Sequence, residues 1–292
     1  MKNQSKALSL IVSMALYSVV SPAQVPVITA QPQSQRAAIS NNITFSVGLN
    51  ASFPAVSSGT LRLWLKADAG VVTNNNGFVS QWQDQSANAN HASQSETNLQ
   101  PLLTTASAIG GKATVRFDGI QSAAAGDYLK GNGDVGIPAA YTSFLVYLMS
   151  NAGNVERIPV WISYGGPNAS GRSYYINNQE MAFASWGNDY FSGFLIPTNT
   201  YRIWTDRLNT NQTLLEFFDA TATTSTNFNL VTSGLVQPHS GYSLGGFNPQ
   251  ITAGRNFSGD IAELIYFRGS LSDTDRVAVE NYLKQKYYQS SS

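Results

Sequence analysis

The chain has 292 residues, balances 17 Lys and Arg against 17 Asp and Glu, and contains no cysteine. Charged residues make up only 12% of it, and polarity comes instead from Asn, Gln, Ser and Thr, with 25 asparagines. The balance excludes the basic face that nucleic acid requires and the polybasic cluster that an anionic membrane surface attracts, and the missing cysteines exclude a disulfide framework.

The N-terminus predicts export. Lys2 and Lys6 flank the start of an apolar run, Ala7–Val20, and Ser21, Pro22 and Ala23 place small residues where a signal peptidase reads. As a helix that run spans about 21 Å, short of the roughly 30 Å hydrocarbon core, so a signal peptide over residues 1–23, cleaved after Ala23, is expected rather than an anchor. Its removal takes two lysines and no acid, leaving a formal charge of −2. No second hydrophobic span follows, so the mature chain is expected to be secreted, extracellular or periplasmic, with no membrane insertion. Residues 24–59 are rich in Gln, Ser, Ala and Pro without a sustained period and read as a linker or disordered arm, with one edge strand over Ile43–Phe53.

From residue 60 to 290 the pattern is β throughout. Leu61, Leu63 and Leu65 alternate against Arg62, Trp64 and Lys66 as in a half-buried strand. Asn74–Gly77 lies between Val71-Val72 and Phe78-Val79, and Asn-Gly favours a tight hairpin because both central residues take positive φ at little cost. Further short apolar runs follow at Thr114–Phe117, Ser143–Met149, Ile158–Tyr164, Ser173–Asn177, Met181–Ser185, Tyr201–Arg207, Leu214–Asp219, Tyr242–Leu244 and Ile261–Phe267, each bounded by Gly, Asn, Pro or Ser. Many short strands without interleaved helices predict an all-β fold of two packed antiparallel sheets, one domain. A single helix closes the chain, capped by Ser272 with Asp275 three residues on, its stripe carried by Val279, Leu283 and Lys286 or Tyr287.

The search for catalytic chemistry is negative. The six glutamates, at 96, 156, 180, 216, 263 and 280, show none of the E-x-D-x-E spacing that sets two carboxylates on one strand face about 5 Å apart. Asp260 and Glu263, three apart, are expected on opposite faces of their strand. His91 and His239 both fall in loops, outside any arginine-rich strand motif, and no G-x-S-x-G elbow occurs. Two distant histidines without cysteine leave no zinc site. The catalytic set is therefore read as none.

Two stretches carry a resemblance. The first contains LRLWLKADAGV, FVSQWQDQSANANHASQ, GGKATVRFDG and DYL between Leu61 and Leu129; the second is FSGDIAELIYFRGSLSDTDRVAVENYLKQKY, Phe257 to Tyr287. Together they resemble the laminin-G-like (LamG) jelly-roll domains of the concanavalin A-like lectin/glucanase superfamily found in bacterial secreted proteins. The resemblance implies a jelly-roll sandwich with Trp64, Trp82 and Phe117 as packing residues and the terminal helix as a structural element. It leaves calcium as the one candidate cation, with no cofactor required. Asp68, Asp84 and Asp118 fall in family-matching turns, where Asp bonding its own backbone is the ordinary reading.

That superfamily holds binding modules, lyases and hydrolases on one scaffold, so function rests on the site. Trp186, Asn188, Asp189 and Tyr190, in a turn-rich stretch from Ala184 to Gly193, combine aromatic faces with polar side chains, the mixture that recognises sugars. These observations predict a secreted, non-catalytic lectin-like module whose partner is an extracellular glycan or glycoprotein. A polysaccharide lyase or glycoside hydrolase with a dispersed site, or a structural surface protein with a protein partner, are the alternatives.

Overall fold

The computed structural model describes residues 52–106, 111–120, 126–131, 135, 140–150, 157–163, 171–177, 180–183, 190–211, 213–227, 241–246 and 256–288. Strands β1 (Thr60–Lys66), β2 (Val71–Thr73), β3 (Val79–Trp82) and β4 (Ala92–Ser93) come first. β5 (Leu102–Thr104), β6 (Thr114–Asp118), β7 (Leu129–Gly131) and β8 (Tyr141–Met149) follow. Next are β9 (Arg157–Ser163), β10 (Gly171–Asn177), β11 (Glu180–Phe183), β12 (Tyr190–Leu195) and β13 (Tyr201–Leu208). β14 (Thr213–Phe218), β15 (Thr221–Asn227), β16 (Gly241–Leu244), β17 (Ser258–Arg268) and helix α1 (Asp273–Tyr287) complete the order.

Every strand pairing is antiparallel, and the strands form two sheets. One runs β15-β14-β13-β8-β17-β6-β5, with β1 also paired to β17; the other runs β12-β11-β10-β9-β16-β7-β4-β3-β2. The eleven-residue β17 makes the first arrangement work: its first residues pair with β6, its later ones with β1, and β8 lies along its other edge. The expected all-β, two-sheet sandwich with one C-terminal helix is the fold observed.

Apolar burial falls into two layers. Between the sheets, Trp82, Phe117, Tyr147, Trp204, Phe257 and Tyr266 are all but inaccessible. On the other face of the β8–β17 sheet, Phe144, Val146, Ile203, Ile265 and Phe267 meet Val279 and Leu283 of α1. All nine residues of β8 are buried because both of its faces are covered, which is why Ser143–Met149 reads as a continuous apolar run rather than an alternation. The helix is capped as expected: the Ser272 side chain accepts from the Asp275 amide at 3.1 Å, and Val279, Leu283 and Tyr287 are buried. The hairpin at Asn74–Gly77 forms, but Gly77 alone of the expected pair takes positive φ, at 83°, and the Asn74 side chain holds the turn by accepting from the amides of Asn76 and Phe78.

Three local expectations are corrected. A bulge between Leu61 and Leu63 breaks the alternation of β1, so Leu63 and Leu65 enter the inter-sheet core while Leu61 and Trp64 pack on the helix side. Residues 52–59, expected to be the end of a linker, are packed: Phe53 lies 4.4 Å from the Trp64 ring, and the Ser57 and Ser58 amides donate to Asp275 Oδ2 at 3.1 and 2.8 Å. The stretch read as turn-rich up to Gly193 instead enters strand β12 at Tyr190. The edge strand expected over Ile43–Phe53 lies, up to residue 51, outside the described residues. Among the described residues no helix is long and apolar enough to cross a membrane.

Candidate functional site

Of the residues predicted to touch a ligand, Trp186, Asn188 and Asp189 lie outside the described residues, as does His239. Tyr190 opens β12, the terminal strand of its sheet. Two large apolar side chains of that strand face solvent, Phe191 at 44% and Leu195 at 67% exposure. Phe194 turns the other way and packs 4.6 Å from the Phe218 ring. An edge strand offering an aromatic ring and an aliphatic side chain to water is a recognition surface or a liability, because sheet edges are ordinarily blunted by charge.

The aspartates singled out in the sequence mostly organise turns. Both oxygens of Asp84 are committed: Oδ1 accepts from the amides of Trp64 (2.8 Å) and Ser86 (2.9 Å), Oδ2 from Ser86 Oγ (2.7 Å) and the Asn90 amide (2.9 Å). His91 Nδ1 accepts from the Asp84 amide at 3.0 Å, and Asn88 and Asn90 donate to the carbonyls of Leu61 and Arg62. The W-x-D-x-S turn is thus a clasp that pins the Asn-rich loop to β1. Asp68 pairs with Lys286 at 3.0 Å. Among the described residues no three His, Asp or Glu side chains gather closely enough to hold a metal ion.

Asp260 and Glu263 do not face opposite sides of their strand. A bulge between Ile261 and Glu263 adds a residue to β17 and puts both carboxylates on the helix-covered face, so strand alternation alone gave the wrong answer. Glu263 is fully buried, and four donors saturate it. Oε1 accepts from Trp64 Nε1 (2.6 Å) and Tyr282 Oη (2.9 Å), and Oε2 from Lys286 Nζ and Tyr287 Oη, both at 2.7 Å. Burial first, then the Glu263 charge, pushes the hydroxyls of Tyr282 and Tyr287 well above the ordinary tyrosine range, so both stay protonated donors. A second carboxylate pair, Asp206 and Glu216, lies directly across β13 and β14 in register, with Tyr141 donating to Asp206 Oδ2. Burial, with Asp206 second, raises the Glu216 carboxyl. Glu216 is wholly inaccessible, so no polymer reaches it.

The open carboxylates are elsewhere. A groove of ≈ 780 Å³ lies where β5, β6 and β17 meet the 97–100 turn, with Phe78, Leu102, Phe117 and Leu148 as apolar wall. Asp260, 1% exposed, lines it and holds Arg116 by two bonds, 2.7 Å from Nε and 2.9 Å from Nη2. Beyond it, Asp118 and Asp127 clasp each other's backbone: the Asp118 amide donates to Asp127 Oδ2 at 3.1 Å, and the Asp127 amide to Asp118 Oδ1 at 3.2 Å. Gly119 turns the chain there at φ 70°, where a Cβ would stand 2.3 Å from that of Ser258. Asp118 was expected to serve its turn and does so, bonding the Ile120 amide at 3.0 Å. Its pairing with Asp127 had no local signal, because the two lie 9 residues apart in sequence.

Burial first, and the Asp118 charge second, push the Asp127 carboxyl up to about 7. A carboxyl raised on folding contributes stability that is complete below the unfolded-state value and is lost as pH rises through about 7. Asp127→Asn is therefore expected to gain more melting temperature relative to the parent at pH 8 than at pH 5. An equal gap at both pH values, measured by thermal melts, would show an ordinary carboxyl.

No family model matches the sequence, and no curated protein matches it. Solved structures do match the fold. Domain 4 of AbnA, a GH43 extracellular arabinanase from Geobacillus stearothermophilus, in complex with arabinotriose, superposes with a TM-score of 0.53 at 14% identity, over 77% of this chain and 99% of that one. The Trypanosoma rangeli sialidase in complex with sialic acid gives a TM-score of 0.54 at 13% identity, over 80% of this chain but only 34% of the sialidase. Likenesses this distant show a shared β-sandwich and nothing finer.

Proposed function

We propose that this chain is an exported, LamG-like module that binds an extracellular glycan or glycoprotein without catalysis. The observation that carries the reading is the exposure of Phe191 and Leu195 on edge strand β12, directly after the segment that holds Trp186, Asn188, Asp189 and Tyr190. Aromatic and aliphatic faces beside amides and a carboxylate suit sugar rings, whose C–H patches stack while their hydroxyls bond. The neutral, amide-rich composition fits the same ligand, and the N-terminal signal fits its location. Fold-level analogy supports the ligand class, since the arabinanase domain was solved with a bound arabino-oligosaccharide. Buried or saturated carboxylates at Glu263 and Glu216 support the absence of catalysis.

A glycan array with mass analysis of the supernatant tests the reading. Retention of one glycan class with no new product is the expected result. Release of reducing ends or unsaturated uronates would instead make the chain a hydrolase or lyase. Binding to protein surfaces after glycan removal would make it a structural surface protein.

A further inference from the structure

The groove beside Asp118 and Asp127 is a second place where a sugar can sit, and its chemistry is narrower than that of the β12 edge. Its lining is rich in acceptors. Among the described residues none donates to Asp118 Oδ2 or Asp127 Oδ1, since each carboxylate gives its other oxygen to the clasp. Gln100, 5% exposed, donates Nε2 to the Gln94 carbonyl at 2.7 Å, and no described residue donates to its Oε1. An acceptor left open on the groove wall by a side chain held this firmly suits a ligand that donates. Asn98 at the rim adds an amide able to donate or accept.

Charge narrows the ligand further. Arg116, Asp118, Asp127 and Asp260 are the only charged side chains among the described residues that line the groove. Asp260 neutralises Arg116 in the two-point pair, and the Tyr201 hydroxyl, 3.5 Å from Asp260, adds no charge. The excess is negative, from Asp118 and Asp127. A uronate or sialate carboxylate entering there meets like charge, whereas the hydroxyls of a neutral sugar meet carboxylate acceptors, the stronger kind. The apolar wall suits one face of a sugar ring.

Resting on the glycan reading above, we propose that this groove is a subsite for a neutral sugar residue that rejects uronic acids, held by the open acceptors of Asp118, Asp127 and Gln100 against the apolar wall. When Asp127 holds a proton, its open oxygen loses the charge that makes it a strong acceptor, and the bond from a sugar hydroxyl weakens. With Asp127 titrating at about 7, a ligand that needs its ionised form binds about tenfold more weakly at pH 6 than at pH 8. A uronate shows the opposite slope, since ionisation repels it.

Calorimetric titration of the mature chain with arabinotriose, cellotriose and trigalacturonate at pH 6 and pH 8 tests this, alongside the Asn98→Ala, Asp127→Asn and Trp186→Ala variants. The expected result is a neutral trisaccharide bound about tenfold tighter at pH 8, with the step abolished in Asp127→Asn. Asn98→Ala, which removes a rim side chain, is expected to weaken binding roughly fivefold at unchanged melting temperature and guards against a folding defect in Asp127→Asn. Binding that Trp186→Ala abolishes but Asn98→Ala and Asp127→Asn leave unchanged at both pH values would overturn the groove and keep the glycan reading. Preference for trigalacturonate, or calcium displacing the sugar at the groove, would overturn the neutral-sugar assignment. No binding of any glycan by the parent chain, here and on the array, would overturn both.

Discussion

Glu263→Ala is expected to destabilise the protein by about 3–5 kcal/mol, the range found when one partner of a buried ion pair is removed. For a chain of this size that corresponds to a fall in melting temperature of roughly 10 °C. The cause is what the substitution leaves behind. Lys286, with a side chain only 12% exposed, keeps Asp68 at the surface but loses its buried partner. Trp64 Nε1 and the hydroxyls of Tyr282 and Tyr287 lose their acceptor in the same step. Glu263→Gln does not repair this, because either amide orientation sets an NH₂ against two of those donors. Adding Lys286→Met to Glu263→Ala is expected to recover part of the loss, since the two sites share one network. Thermal and denaturant melts of the two single variants and the double decide the point. An unchanged melting temperature for Glu263→Ala, with loss of ligand binding, would make Glu263 a functional carboxylate and refute its structural role.

That network also marks where the sequence stops being readable. Periodicity and turn chemistry located β1, β6, β8, β13, β14 and β17 and the capped helix, because each is long enough for its apolar pattern or its cap to show. Bulges are different: nothing in SGDIAELIYF announces the extra residue that turns Asp260 and Glu263 to one face. The same holds for Arg62 in β1, where Leu61 leaves the core stripe that Leu63 and Leu65 keep. Strands as short as Ala92–Ser93 and Leu129–Gly131 carry too few residues for any period to show. Ser57 and Ser58 bond Asp275 across more than 200 residues, and such long-range polar docking makes a composition-based linker assignment fail. The groove was half legible. Asp118 was visible as a turn residue, but its partner Asp127 and the acceptor left open on Gln100 exist only once β6, β7 and the 97–100 turn have been brought together.

Trp186→Ala is expected to weaken glycan binding at least about thirtyfold while leaving the melting temperature within a degree or two. Loss of a stacking tryptophan from an interface hot spot costs at least about 2 kcal/mol, and 1.4 kcal/mol is a factor of ten in affinity. The alternative role for this residue, a ring packed in the core, predicts a different signature: about 3–5 kcal/mol of lost stability on truncation. One variant therefore separates the two. Phe191 and Leu195 extend the test, because both are exposed on β12 and their replacement by Ser removes apolar surface without opening a cavity. If the ligand stacks along this edge, Phe191→Ser weakens binding in the same direction as Trp186→Ala, and melting stays constant in both. A large fall in melting temperature for Trp186→Ala, together with unaltered binding in Phe191→Ser, would assign the tryptophan to packing and move the ligand contact away from β12.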